Sequence, residues 1–166
     1  MMGVMDYKNS KKHLYLFTLE VAPLDNGGIY RVLPSHCTLV SRFWSELLPQ
    51  EIEAKVAPLL NNQKVIELIF GNKEIFNESK AKVNLIHKTN ELYMLHSKLC
   101  DLLDGLGVEY TTPLWIRDGW RPHVTERPDV TFAPGMRHLS KAVYFIEVKI
   151  NAEEDTRYIR AKFDLK

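Results

Sequence analysis

Residues 13–22 (HLYLFTLEVA) are rich in β-formers, and their apolar and polar positions alternate, a pattern that predicts a strand. The same reading predicts strands over residues 35–43, 64–76, 81–86, 123–127, 139–150 and 158–165, and allows a short further one at 108–110. Two stretches switch to helical spacing. Residues 49–60 (PQEIEAKVAPLL) open on Pro49, which suits a first helical turn, and weaken at Pro58. Over residues 90–106, Leu92, Leu95, Leu99, Leu102, Leu103 and Leu106 share one face, and Gly105 and Gly107 punctuate the end. Turn-rich segments at 23–28, 77–79 and 151–155 separate these runs.

The order β-β-α-β-β-α-β-β-β places one helix in each half of the chain. It predicts an α+β fold of bilobal, pseudo-symmetric form, with two small, mostly antiparallel sheets, each backed by a helix, and a central cleft. The expected organisation is one domain over residues 13–166, preceded by a polar tail at 1–12.

Composition narrows the class. Hydrophobic residues make up 45% of the 166, enough to build a core. A net charge of +1 gives no global field to hold long nucleic acid or an anionic membrane surface, although local cations suffice for a small anion. Two cysteines, Cys37 and Cys100, make no disulfide framework. No run approaches a membrane span, and the first residues lack a signal-peptide core. A cytoplasmic monomer without membrane contact is the expectation.

The candidate chemistry lies in a pattern that occurs twice. Pro34-Ser35-His36-Cys37-Thr38-Leu39 opens one predicted strand, and Arg121-Pro122-His123-Val124-Thr125 opens another. Residues i and i+2 of a strand share a face, so each motif projects one imidazole and one hydroxyl together. Two such strands side by side would gather His36, Thr38, His123 and Thr125 around one small space. Imidazole titrates near neutrality, so one ring can take a proton while the other gives one. Hydroxyls can donate to phosphate oxygens. Two similar triplets read differently. Thr89 of His87-Lys88-Thr89 sits where a helix N-cap belongs. His138-Leu139-Ser140 starts a strand, with Ser140 expected to face solvent.

Cys37 alternates away from His36, toward the core, and reads as a small hydrophobe rather than a nucleophile. No spacing supplies a metal-ligand set, and neither a metal nor a cofactor is expected. Around the second motif, Trp115, Arg117, Trp120 and Arg121 are candidates to stack on a base and neutralise phosphate, or else to plug the lobe interface. Arg42 and Arg127, just beyond their motifs, are alternative phosphate partners. Tyr30 and Arg31 are weaker candidates.

With these motifs and this element order, the chain resembles the two-histidine (2H) phosphoesterase superfamily, in particular its bacterial 2′-5′ RNA ligase/cyclic phosphodiesterase-like branch. The resemblance runs from about residue 13 onward and includes Pro122 ahead of the second histidine. It implies a metal-independent phosphodiesterase acting on a 2′,3′-cyclic phosphate, a 2′-5′ linkage or a cyclic oligonucleotide, with a small nucleotide or an RNA end as substrate. A non-catalytic nucleotide- or RNA-binding module, or an RNA 2′-5′ ligase, is the alternative. One departure stands out: Glu126 follows the second threonine, where the family usually has an apolar residue. Alternation points Glu126 away from Thr125.

Overall fold

The computed structural model describes residues 11–128 and 130–166. The predicted tail thus lies, but for its last two residues, outside the described part. Among the described residues, ten strands form one sheet. They are β1 (His13–Glu20), β2 (Ile29–Tyr30), β3 (His36–Ser45), β4 (Ile66–Ile75), β5 (Lys82–Ile86), β6 (Glu109–Tyr110), β7 (His123–Thr125), β8 (Arg137–Ser140), β9 (Ala142–Lys149) and β10 (Thr156–Asp164). Their order is β2-β10-β9-β1-β3-β7-β5-β4-β8, with β6 also paired to β3. The paired strands are antiparallel.

The class is α+β, as predicted. Where the element order suggests two small sheets, however, the strands run on as one. The joint is the β3–β7 pair, with Cys37 opposite Val124. It is short, and each side of it brings one His-x-Thr strand to the centre.

The single strand predicted over 139–150 is two strands. Between them, at Lys141, the chain leaves β4 in one half and joins β1 in the other. Ser140, expected at the surface, is fully buried at this crossing. A continuous run of strand-forming residues cannot report a change of partner.

Helix α1 (Pro49–Leu60) begins on Pro49, and the Leu48 amide donates to the Glu51 carboxylate at 2.7 Å. Helix α2 (Asn90–Gly105) is capped by Thr89, whose hydroxyl accepts from the Leu92 amide at 3.3 Å. Helix α1 lies against β9 and β10, and α2 against β3. Ile52, Val56 and Leu60 of α1 and Leu92, Leu95, Leu99 and Leu103 of α2 meet Phe17, Leu39, Phe43 and Phe145 of the sheet in the main core. Burying a leucine or phenylalanine side chain stabilises by about 1.5–3 kcal/mol, so this layer dominates the stability.

The opposite face of β1 and β9 carries a second, smaller core. Leu14, Leu16, Tyr144, Ile146 and Val148 pack there under Leu24 and Leu33 of the loop segments flanking β2. The site opens beside this second core, on the face away from the helices.

Candidate active site

Two β-strands supply the four motif side chains. Alternation buries Cys37 and Val124 completely on the helix side. Burial pushes the Cys37 thiol up to about 12, which leaves it protonated and inert. His36, Thr38, His123 and Thr125 are half-buried on the other side. With Cys37 opposite Val124, antiparallel register sets His36 across from Thr125 and Thr38 across from His123. Each imidazole thus faces the hydroxyl of the other motif, at a directly paired position where Cβ atoms lie about 5 Å apart.

The two imidazoles are held alike. His36 Nδ1 lies 2.8 Å from the Pro34 carbonyl oxygen, and His123 Nδ1 lies 2.8 Å from the Arg121 carbonyl oxygen. A carbonyl only accepts, so in both rings Nδ1 carries the hydrogen and Nε2 is left for a reactant. The same two-residue offset occurs in both motifs.

The electrostatics separate the pair. Burial, reinforced by the charges of Arg127 and then His123, lowers His36 to about 4 against the pull of the Pro34 hydrogen bond. Burial also lowers His123, with Arg121 adding to the effect and its own carbonyl bond opposing it.

A cavity of about 460 Å³ opens over this face, lined among others by His36, Thr38, Ser41, Arg42, Thr125 and Arg127. Arg31 and Arg157 complete the guanidinium groups around it, and Leu16, Val32 and Leu33 form its apolar wall. Arg42 pairs with Asp155 at 3.1 Å. Arg127 donates from Nη2 to the Leu33 carbonyl at 3.3 Å, while its buried Nε–H meets no acceptor among the described residues.

Of the sequence candidates, His36, Thr38, Thr125, Arg31, Arg42 and Arg127 line the cavity, and His123 stands across from Thr38. The others lie elsewhere. Trp120 is buried in the core, stacked on His96 at 4.0 Å with its indole N–H on the Thr38 carbonyl, so its ring is closed to any ligand. Arg117 is held by Asp101 at 2.8 Å and Asp104 at 2.6 Å. Arg121 pairs with Glu74 at 2.6 Å and covers the Phe76 ring. Trp115 packs on that same ring, and His123 meets it edge-on at 4.7 Å. Tyr30 uses its hydroxyl to accept the Asp25 amide. Glu126 pairs with Lys73 at 3.3 Å and takes no part in the cavity lining.

Sequence reasoning missed Arg157 and Ser41. Arg157 arrives through the pairing of β10 with β2, which sets it opposite Tyr30. Ser41 falls out of simple alternation. Register shifts in the β1–β3 ladder leave Leu39 and Val40 both buried, and then Ser41 and Arg42 both on the cavity.

No protein-family model and no curated protein sequence matches the chain. Solved structures do. The Escherichia coli protein LigT complexed with NADP+ matches over 95% of this chain and 99% of its own, with 13% identity and a TM-score of 0.59. A phosphoesterase matches over 93% and 99%, with 14% identity and a TM-score of 0.61. A protein of Thermus thermophilus matches over 92% and 97%, with 14% identity and a TM-score of 0.58. Over nearly its whole length, this chain has the fold of Escherichia coli LigT.

Proposed function

We propose that the protein is a two-histidine phosphoesterase that hydrolyses a 2′,3′-cyclic phosphate or a related nucleotide phosphodiester. The observation that carries this reading is the matched pair of imidazoles. Both are anchored through Nδ1 on the carbonyl two residues back, and each faces a threonine hydroxyl of the other strand. The fold adds support, because LigT has been crystallised with phosphate, 3′-AMP, ATP and NADP+, all of them phosphates or phosphate esters.

His36, the more strongly neutral ring, takes a proton from water through Nε2. The water oxygen attacks phosphorus, and the bond from phosphorus to the ribose oxygen breaks. Protonated His123 gives its Nε2 proton to that leaving oxygen. Thr38 and Thr125 donate to the non-bridging oxygens, where negative charge grows. Arg127 offers its unoccupied Nε–H and its charge beside them. General acid–base catalysis of this kind is worth about 10²–10⁴-fold.

The test is incubation with the four nucleoside 2′,3′-cyclic phosphates in EDTA, beside His36→Ala and His123→Ala. Hydrolysis lost in both variants is the expected result. Full turnover in either variant would overturn the mechanism. Binding without turnover in the wild type would make the protein a nucleotide-binding module, and joining of RNA ends above hydrolysis would make it a ligase.

A further inference from the structure

Four arginines around one cavity are more than a single phosphodiester calls for. The whole chain carries a net charge of only +1, yet Arg31, Arg42, Arg127 and Arg157 converge on one cavity whose lining, among the described residues, includes no carboxylate. They come from four separate parts of the chain: the segment after β2, β3, the segment after β7, and β10. Like charges brought together repel and need a compensating anion.

The protein neutralises only part of this charge. Arg42 has Asp155 at 3.1 Å, and Arg31, its side chain 80% exposed, has Glu154 at 3.9 Å. Arg127 and Arg157 are anchored on backbone carbonyls instead: Arg127 on Leu33, and Arg157 on Arg31 and Asp155. Burial and the charge of Arg42 both disfavour the charged form of Arg157, although Asp155 and Glu154 oppose them. Such a group holds its charge at a cost, and an anionic ligand would relieve it. A phosphodiester brings one negative charge, and Arg127 beside His36 matches it. Arg157 remains, with Arg31 and Arg42, each facing one carboxylate already, beside it, and a guanidinium fork is suited to the oxygens of a phosphate.

Resting on the hydrolase reading above, we infer that the substrate carries a second phosphate besides the one that reacts, and that Arg31, Arg42 and Arg157 bind it. The ligand class is a nucleotide with a terminal phosphate or pyrophosphate at a distance from the scissile bond. A cavity of about 460 Å³ is within the usual range for small-ligand sites and has room for both groups.

The experiment compares adenosine 2′,3′-cyclic phosphate with the same nucleotide bearing a 5′-phosphate, in wild type, Arg157→Ala and Arg31→Glu. Calorimetric titration of the wild type and both variants with pyrophosphate and orthophosphate runs beside it. Arg31→Glu guards against misfolding, because its exposed side chain makes little contact. The expected result is a KM about tenfold lower for the 5′-phosphorylated substrate, a preference that shrinks toward unity in both variants. Pyrophosphate is expected to bind more tightly than orthophosphate, and only in the wild type. Equal KM values in the wild type, or a preference untouched by both substitutions, would overturn the inference while leaving the hydrolase standing. No turnover of either nucleotide, with arginine-dependent pyrophosphate binding, would reject the hydrolase and keep the anion site. Neither turnover nor binding would reject both.

Discussion

The two imidazoles share a geometry but not an environment, and that difference should set the pH dependence. His36 must be neutral to act as base, and burial holds it neutral down to about pH 4. His123 must carry a proton to act as acid, but its affinity for that proton also lies below the ordinary histidine value of about 6.5. The profile of kcat/KM reports the free enzyme, so it should be a bell displaced to the acid side. Its basic limb should fall below pH 6.5, and a stopped assay from pH 4 to pH 8 reads it directly. Thr38→Ala and Thr125→Ala should each lower kcat by about 10-fold or more, less than either histidine change, because each removes one donor to the transition state.

A third histidine governs stability. His96 is fully buried, with Nδ1 on the Leu39 carbonyl at 2.7 Å and Nε2 accepting the Arg117 amide at 2.9 Å. Desolvation lowers it to about 4. The unfolded chain therefore binds the proton more readily than the native one, and stability falls as pH drops from about 6.5 toward 4. The loss attributable to this residue approaches about 3 kcal/mol at the acid end. Urea unfolding at pH 7 and pH 4.5 should show it, and the difference should shrink in His96→Gln.

At the level of elements, both helices were legible in the sequence because leucine spacing and end signals agreed. Helix α1 starts and ends where the prolines and apolar period predict, and Thr89 caps α2. Thr89→Ala should cost about 1 kcal/mol in chemical denaturation. Strands 123–127 and 139–150 were less legible, since strand-forming composition does not name a partner. The loop before the second motif admits two readings in the sequence, ligand groups or an interface plug. Its tryptophans and arginines look like ligand groups, but they hold the loop itself. Arg117 takes a left-handed backbone, φ 62°, fixed by Asp101, Asp104 and the His96 ring. Tyr93 donates to Asp118, and Lys88 donates to its carbonyl. Gly119 passes so close to Leu114 that an added Cβ would lie 1.8 Å from its carbonyl oxygen. Gly119→Ala should therefore displace the loop, lower the melting temperature by several degrees, and loosen the Arg121 carbonyl that orients His123.

At the scale of the molecule, the sequence disclosed the four motif residues and the α+β class, but not how the halves are joined. Of the cation cluster, Arg157 escaped for the same reason. Arg157 meets Arg31 only because β10 pairs with β2, a contact between segments 126 residues apart. Removing residues 156–166 should abolish folding, seen as loss of chemical-shift dispersion, because β10 covers β9 and supplies Ala161 and Phe163 to the main core.

The crossing at Lys141 has a consequence for how the protein is made. The half of the sheet built on β1 and β3 is completed by β9 and β10, which leave the ribosome after all the other strands. Both His-x-Thr strands emerge well before that half can close. While translation continues, the nascent chain holds its leading strands without their final partners, and the exposed edge of β1 awaits β9. Folding of the first half is in this sense deferred until β10 has emerged. A chaperone that shelters the nascent chain should therefore affect the yield of this protein more than that of a fold whose halves close in the order in which they emerge.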